Sequence, residues 1–113
     1  MKKRYLHIGC GDNILPTPFE NLDIRPSEGV DHVSEAFPLP FEDEEFDLVY
    51  TSHVLEHFKK IDTQPVLNEW VRVLKPGGTI RISVPDLESL IEIYQLTGDM
   101  EYIIGPLMGG QTY

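Results

Sequence analysis

The chain has 113 residues, which suffice for one hydrophobic core but not for a second, so residues 1–113 are expected to form a single domain. With 41% hydrophobic and 25% charged residues, the composition is that of a soluble globular protein. The net charge of −10 argues against nucleic acid or an anionic membrane as a partner, and no segment has the length of a signal peptide or membrane span. A single cysteine excludes an internal disulfide and a cysteine-rich zinc site, and it favours a reducing, cytoplasmic location.

Short apolar segments bounded by turn residues predict strands in the first half of the chain. Residues 5–8 predict a buried strand that ends at Gly9-Cys10-Gly11. Two prolines within residues 12–19 make a regular helix there unfavourable. Residues 37–45 predict a loop with a solvated acidic turn. Further strands are predicted over residues 20–24, 30–33 and 46–51.

The second half of the chain begins with a helical pattern. Its apolar residues recur at three- and four-residue intervals, behind an Asp62 or Thr63 cap and ahead of Pro76-Gly77-Gly78. They are Val66, Leu67, Trp70, Val71 and Leu74. Residues 79–84 alternate as a strand does, and a second helix is predicted from Pro85-Asp86 to Gly98. The expected fold is therefore α/β, with a mostly parallel sheet of about five strands and flanking helices.

Glycines after the first strand and an acidic residue after the second predict a nucleoside site. Gly9 and Gly11 allow a ligand to approach the backbone closely, because no Cβ is in the way. Asp23 ends the next strand and could accept hydrogen bonds from both ribose hydroxyls. Alternatively, the glycines only form a tight turn and Asp23 caps a loop. A dinucleotide is disfavoured, because Ile14 occupies the third glycine position of GxGxxG.

Two longer segments carry a family resemblance. Residues 35–57 read EAFPLPFEDEEFDLVYTSHVLEH, and residues 71–86 read VRVLKPGGTIRISVPD. With these motifs the chain resembles the class I S-adenosylmethionine-dependent methyltransferases of the small-molecule type, from Tyr5 to about Leu96. The resemblance implies a Rossmann-like fold, S-adenosylmethionine as cofactor, and methyl transfer to a small-molecule or sugar-type acceptor.

The resemblance also implies a set of cofactor-binding residues. Gly9, Cys10 and Gly11 would line the methionine part, and Asp23 would hold the ribose. Ile24 would flank the adenine, Glu35 and Ala36 would meet its amino edge, and Thr51 and Ser52 would lie beside the sulfonium. His7 stands where the family often has an acidic residue, which weakens the expected contact to the methionine ammonium group.

The five predicted strands are fewer than the seven of the family's sheet. The final antiparallel hairpin is expected to be absent, as after a C-terminal truncation, so that part of the acceptor-binding wall is missing. This leaves an alternative to an enzyme, namely a cofactor-binding but non-catalytic fragment or partner subunit.

His53 and His57 follow the fourth strand and are the candidate catalytic bases. His57 could instead be a structural partner of Glu56 or of a backbone carbonyl. His53-Val54-Leu55-Glu56-His57 also matches the H-x-x-E-H motif of a zinc hydrolase. That chemistry needs a long helix and a third ligand, for which Glu88, Glu92 and Glu101 are available. The methyltransferase interpretation requires no metal.

Without the final hairpin, the strand over residues 79–84 would form an exposed edge of the sheet. Arg81 is the only charged residue that would blunt this edge, and exposed edges of this kind pair with other chains. The sequence therefore predicts a homodimer that pairs these strands or exchanges the C-terminal tail. A monomer whose tail, Met100–Met108, covers the edge is the alternative.

Overall fold

The computed structural model describes residues 3–52, 54–84, 89–95 and 102–106. Its strands are β1 (Tyr5–Ile8), β2 (Phe19–Asp23), β3 (His32–Val33), β4 (Phe46–Ser52), β5 (Leu74–Val84), β6 (Ser89–Gln95) and β7 (Tyr102–Pro106). Helix α1 (Thr63–Arg72) precedes β5, and two 3₁₀ turns lie at Leu55–His57 and Lys60–Asp62. No helix in these ranges is long and apolar enough to cross a membrane.

The described strands form one sheet in the order β3-β2-β1-β4-β5-β6-β7. All pairings among β1 to β5 are parallel, which confirms the predicted α/β fold with its mostly parallel sheet. The carboxyl ends of these strands therefore meet at one edge of the sheet. The order reverses at β1, which lies between β2 and β4, and ligands of such sheets bind at this switch point.

The prediction that the final antiparallel hairpin is absent is wrong. β6 pairs antiparallel with β5 from Thr79↔Tyr94 to Val84↔Ser89, and β7 pairs antiparallel with β6. The apolar residues of the predicted second helix recur at helical intervals, but residues 89–95 (SLIEIYQ) are also rich in β-branched and aromatic types. Pairing with the open side of β5 favours the strand over the helix, because it satisfies the backbone groups of both β5 and β6.

The prediction that β5 is an exposed edge is wrong for the same reason. β5 lies between β4 and β6, and part of the tail forms β7 beside β6. The expected homodimer through that edge has therefore lost its premise.

The two faces of the sheet differ in what covers them. Leu6 and Ile8 lie on the α1 side, in a core cluster that includes Val66 and Trp70 of the helix. On the other face, Tyr5, His7, Phe19 and Tyr50 form a cluster of rings with centroids 5.1–6.4 Å apart. Residues 12–18 form no helix, as their prolines predicted.

A charged cluster joins the amino ends of the strands, away from the switch point. The Arg4 guanidinium donates to Glu20 and Glu45 at 2.8 Å each and lies 4.6 Å from the centre of the Phe46 ring. Its hydrogen bonds hold the pKa of both carboxyl groups below their usual value. Asp43 likewise accepts from Arg72 at 2.8 Å. Two carboxylates of the acidic turn, those of Asp43 and Glu45, therefore bind arginines as well as facing solvent.

Candidate functional site

A cavity of about 520 Å³ opens at the carboxyl ends of the parallel strands, within the usual size range of ligand pockets. It combines glycine backbone, apolar side chains, two carboxylates, an arginine and a histidine. Its lining comprises Gly9, Leu22, Asp23, Ile24, Arg25, Ser34, Glu35, Ala36, Phe37, Val54, His57 and Phe58. Six of the predicted site residues therefore lie together: Gly9, Asp23, Ile24, Glu35, Ala36 and His57.

The turn after β1 requires its glycines for two different reasons. Gly9 has a φ of +71°, and a Cβ built on it would overlap the Val54 side chain. Gly11 has a φ of +52°, and a Cβ there would meet no atom within 4 Å. The space beside Gly9 is thus filled by the protein itself, whereas only backbone conformation restricts position 11.

Backbone donors on both sides hold the Asp23 carboxylate at the end of β2. Oδ1 accepts from the Gly11 N–H at 3.3 Å, and Oδ2 accepts from the Arg25 N–H at 3.1 Å. Each oxygen keeps a further lone pair, so the carboxylate can still accept hydrogen bonds from a ligand. Asp23 therefore closes the loop, as the loop-cap interpretation expects, and it also lines the cavity, as the nucleoside-site interpretation expects. Its role at a ribose stays a prediction.

Cys10, Gly11, Thr51 and Ser52 do not line the cavity. Cys10 is buried, and burial, followed by the nearby Asp23 charge, raises the pKa of its thiol. Its N–H donates to the Leu22 carbonyl at 3.0 Å. The Thr51 side chain is fully buried, and its hydroxyl has no hydrogen-bond partner among the described residues.

His7 lies on the opposite face of the sheet from the α1 core and does not line the cavity. It is 1% exposed, its ring lies 5.1 Å from that of Tyr50, and its Nδ1–H donates to Asn21 Oδ1 at 3.0 Å. The Asn21 amide also exchanges two hydrogen bonds with the Leu15 backbone, which holds residues 12–18 over this face. A role for His7 at the methionine ammonium group stays a prediction.

The burial of His7 predicts a pH-dependent stability. Desolvation lowers its pKa below the usual 6.5, so the folded protein binds fewer protons here than the unfolded chain does. The free energy of unfolding should therefore fall as the pH drops below 6.5, by up to about 1.4 kcal/mol per pH unit. Urea unfolding at pH 7.5 and 5.5 measures it. His7→Phe, which keeps an aromatic ring but cannot titrate, should remove this part of the dependence. An equal pH dependence in both proteins would contradict the assignment.

His57 is exposed at the cavity, in the 3₁₀ turn Leu55–His57, and its N–H donates to the Val54 carbonyl at 3.0 Å. His53 lies outside the described residues. Residues 55–57 thus form a single turn rather than the long helix that the H-x-x-E-H motif needs. The parts of the chain that the structure describes contain no group of three metal-ligating side chains.

Sequence reasoning missed several cavity residues, namely Leu22, Arg25, Ser34, Phe37, Val54 and Phe58. Arg25 and Ser34 each follow a parallel strand within two residues, so the strand ends themselves were a usable signal. Val54 lies three residues before the predicted His57, and Phe58 follows it directly. Neither position belongs to a distinctive sequence pattern. Only the tertiary structure brings them to Gly9.

The cavity fits the nucleoside cofactor that the resemblance implies. A fixed carboxylate, Asp23, lies at its wall between apolar neighbours, with Ile24 62% exposed and Phe37 36% exposed. Large apolar side chains exposed at a cavity mouth suit the flat face of a base. Thr51 in β4 pairs with Ile8, the residue before the glycine turn, and its buried hydroxyl has no hydrogen-bond partner in the part of the chain that the structure describes.

Comparisons with known proteins agree with this geometry. The methyltransferase domain family matches residues 6–82, which is more than half of the chain. Phthiotriol/phenolphthiotriol dimycocerosates methyltransferase 1 of Mycobacterium ulcerans is 32% identical over 122 residues, covering 87% of this chain and 42% of its own length.

Solved structures show the same fold. A SAM-dependent methyltransferase from Thermotoga maritima has a TM-score of 0.60 at 28% identity, over 78% of this chain and 47% of its own. A chain of the complex between the Haloferax volcanii Trm112 methyltransferase activator and a methyltransferase has a TM-score of 0.57 at 21% identity, over 73% of this chain and 45% of its own. This chain thus spans less than half the length of each of these three relatives.

Proposed function

The chain belongs to the methyltransferase domain family, whose class is S-adenosylmethionine-dependent, and from this we propose that the protein transfers a methyl group from that cofactor to a small-molecule acceptor. The observation that carries the proposal is the Asp23 carboxylate, fixed by two backbone N–H groups at the wall of the cavity.

The cavity residues divide the work of holding the cofactor. Asp23 would accept from the ribose hydroxyls, and Ile24 and Ala36 would lie against the base. Glu35 is exposed at the same cavity and would accept from the amino group of adenine. S-adenosylmethionine, when bound, supplies an already activated methyl group, so that positioning of the acceptor accounts for much of the catalysis. His57 would take a proton from a hydroxyl or ammonium acceptor at a ring nitrogen.

The acceptor is proposed to be a small molecule with an apolar part. Val54 and Phe58 give one side of the cavity an apolar wall. The Mycobacterium ulcerans relative is named for dimycocerosates, and this supports an acceptor with hydrocarbon character. A cytoplasmic location belongs to the same proposal and is supported by the single, buried cysteine.

A second candidate is a cofactor-binding partner subunit without activity of its own. The observation that favours it is an assembly found among the three relatives, of each of which this chain spans 42–47%. One of those relatives, the Haloferax volcanii methyltransferase, forms a complex with an activator. Transfer of labelled methyl groups to a metabolite extract distinguishes the two candidates, because only the enzyme would label an acceptor.

Titration calorimetry tests the cofactor. We expect S-adenosylmethionine and S-adenosylhomocysteine to release or absorb heat on binding and to raise the Tm. NAD is expected to do neither. The absence of heat and of a shift with both adenosyl ligands at millimolar concentration would overturn the proposed function. Binding of NAD instead would favour the dinucleotide interpretation.

A further inference from the structure

Residues 34–39, the wall segment, form one side of the cavity and are held from outside it. Ser34, Glu35, Ala36 and Phe37 line the cavity, and Leu39 is buried in the core. Among the described residues, its hydrogen bonds are one to β2, from the Ser34 N–H to the Asp23 carbonyl at 3.0 Å, one within the segment, from Ser34 Oγ to the Glu35 carbonyl, and others to α1.

Trp70 makes the first of these contacts. Its indole Nε1–H donates to the Ala36 carbonyl at 2.8 Å, although the side chain is fully buried and does not line the cavity. The sequence predicted Trp70 only as core packing. A buried indole needs an acceptor, and this one lies in the cavity wall itself.

Glu69 makes the second contact and depends on Arg72. Its Oε2 accepts from the Leu39 N–H at 2.7 Å, while Arg72 donates to both carboxylate oxygens at 2.8 and 2.9 Å. These hydrogen bonds from Arg72 lower the pKa of Glu69, so the carboxylate stays charged at neutral pH. A bidentate pair of this kind fixes the plane of the carboxylate.

The two contacts to α1 lie on either side of Phe37, and the contact at Ala36 together with the Ser34 hydrogen bond to β2 lies on either side of Glu35. One fixes the Ala36 carbonyl and the other fixes the Leu39 N–H, three residues later. The position of Glu35 and Phe37 relative to Asp23 is therefore set by a helix that does not touch the cavity. Their own side chains are exposed, and neither belongs to the core cluster of the described residues.

We propose that Glu69 and Trp70 are positioning residues that align the wall segment with the base of the bound nucleoside and so determine selectivity for adenine. The inference rests on the proposed function, in which Glu35 meets the amino group of adenine. It is based on the short hydrogen bonds from Trp70 to the Ala36 carbonyl and from the Leu39 N–H to Glu69, and on the complete burial of Trp70. A pocket that hydrogen-bonds an amino group rejects an analogue lacking it only while the acceptor is correctly placed.

The test compares S-adenosylhomocysteine with S-inosylhomocysteine, which carries a carbonyl in place of the adenine amino group. The wild type should bind the adenine compound more tightly. Trp70→Phe keeps an aromatic ring and loses the N–H donor, so the dissociation constant for S-adenosylhomocysteine should rise roughly three- to tenfold. The preference over S-inosylhomocysteine should fall with it, because the lost alignment affects the amino contact most.

Three further variants separate positioning from stability. Glu69→Ala should reduce the preference as Trp70→Phe does, while Glu69→Gln, which keeps an acceptor for the Leu39 N–H, should retain more of it. Val66→Ala is the matched control, because Val66 is a fully buried residue of the same helix without a hydrogen bond to the wall segment. It should lower the Tm and leave the preference unchanged.

The outcomes test the proposed function and the positioning role of Glu69 and Trp70 separately. A wild type that binds neither compound overturns the proposed function and the inference with it. A wild type that prefers the adenine compound, with the same preference in folded Trp70→Phe or Glu69→Ala, overturns the inference alone. An equal loss of preference in Val66→Ala also overturns it, because the effect would then follow from stability.

Discussion

Asp23→Ala is expected to weaken S-adenosylhomocysteine binding by about 1.5–3 kcal/mol, or roughly ten- to a hundredfold in dissociation constant. The substitution removes the charged acceptor proposed for the ribose. It also frees the N–H groups of Gly11 and Arg25, which Asp23 now holds at 3.3 and 3.1 Å. Calorimetry at a temperature well below the Tm of the variant measures the change.

Asp23→Asn is the matched control for this prediction. It keeps one carbonyl acceptor and the size of the side chain but loses the charge, so its affinity should lie between those of wild type and Asp23→Ala. If Asp23→Ala lowered the Tm and left the dissociation constant unchanged, the carboxylate would serve only to close the loop. The loop-cap interpretation of Asp23 would then be correct.

Gly9→Ala is expected to lower the free energy of unfolding by about 2–5 kcal/mol. The left-handed conformation at a φ of +71° costs about 1–2 kcal/mol for a residue with a Cβ. Overlap of that Cβ with Val54 adds about 1–3 kcal/mol, as in other overpacked cores. Because Val54 and Gly9 both line the cavity, the displaced side chain should also weaken S-adenosylhomocysteine binding.

Gly11→Ala separates the two contributions. Its φ of +52° imposes the conformational cost, but its Cβ would meet no atom within 4 Å, so its loss should be about 1–2 kcal/mol. In the double variant Gly9→Ala with Val54→Ala, the combined loss should be smaller than the sum of the single losses. Urea unfolding of the set measures both. Equal losses at positions 9 and 11, or additive losses in the double variant, would contradict the role assigned to Val54.

The parallel part of the sheet could be predicted from the sequence because its signals are local. The apolar segment before Gly9 and the segment over residues 46–51 have the length and composition of buried strands, and the structure has strands at both. The helical spacing of Val66, Trp70 and Val71 predicted α1, which forms as far as Arg72, whereas Leu74 and Pro76-Gly77-Gly78 belong to β5 and do not end the helix as predicted. Short-range patterns were sufficient to predict a helix, which forms its backbone hydrogen bonds internally, and strands whose side chains are buried in the core.

The antiparallel hairpin could not be predicted in the same way. Leu87, Leu90, Ile91 and Tyr94 have the spacing of a helical face, and the stretch over 89–95 has the residue types of a strand. Such a segment is ambiguous by its own pattern. The open side of β5 decides its structure, and that side exists only after the parallel strands have assembled.

Four residues show the same division between local pattern and tertiary contact. The sequence alone determined that Gly9 and Asp23 end neighbouring strands, and parallel pairing then necessarily brings them to one edge. It also predicted a buried strand over residues 5–8, which includes His7, and placed Trp70 among the apolar residues of the helical pattern. Their partners, however, lie 14 and 34 residues away, at Asn21 Oδ1 and the Ala36 carbonyl. A buried polar group must find an acceptor, but which acceptor is within reach depends on how the loops cross the sheet, and only the tertiary structure decides that.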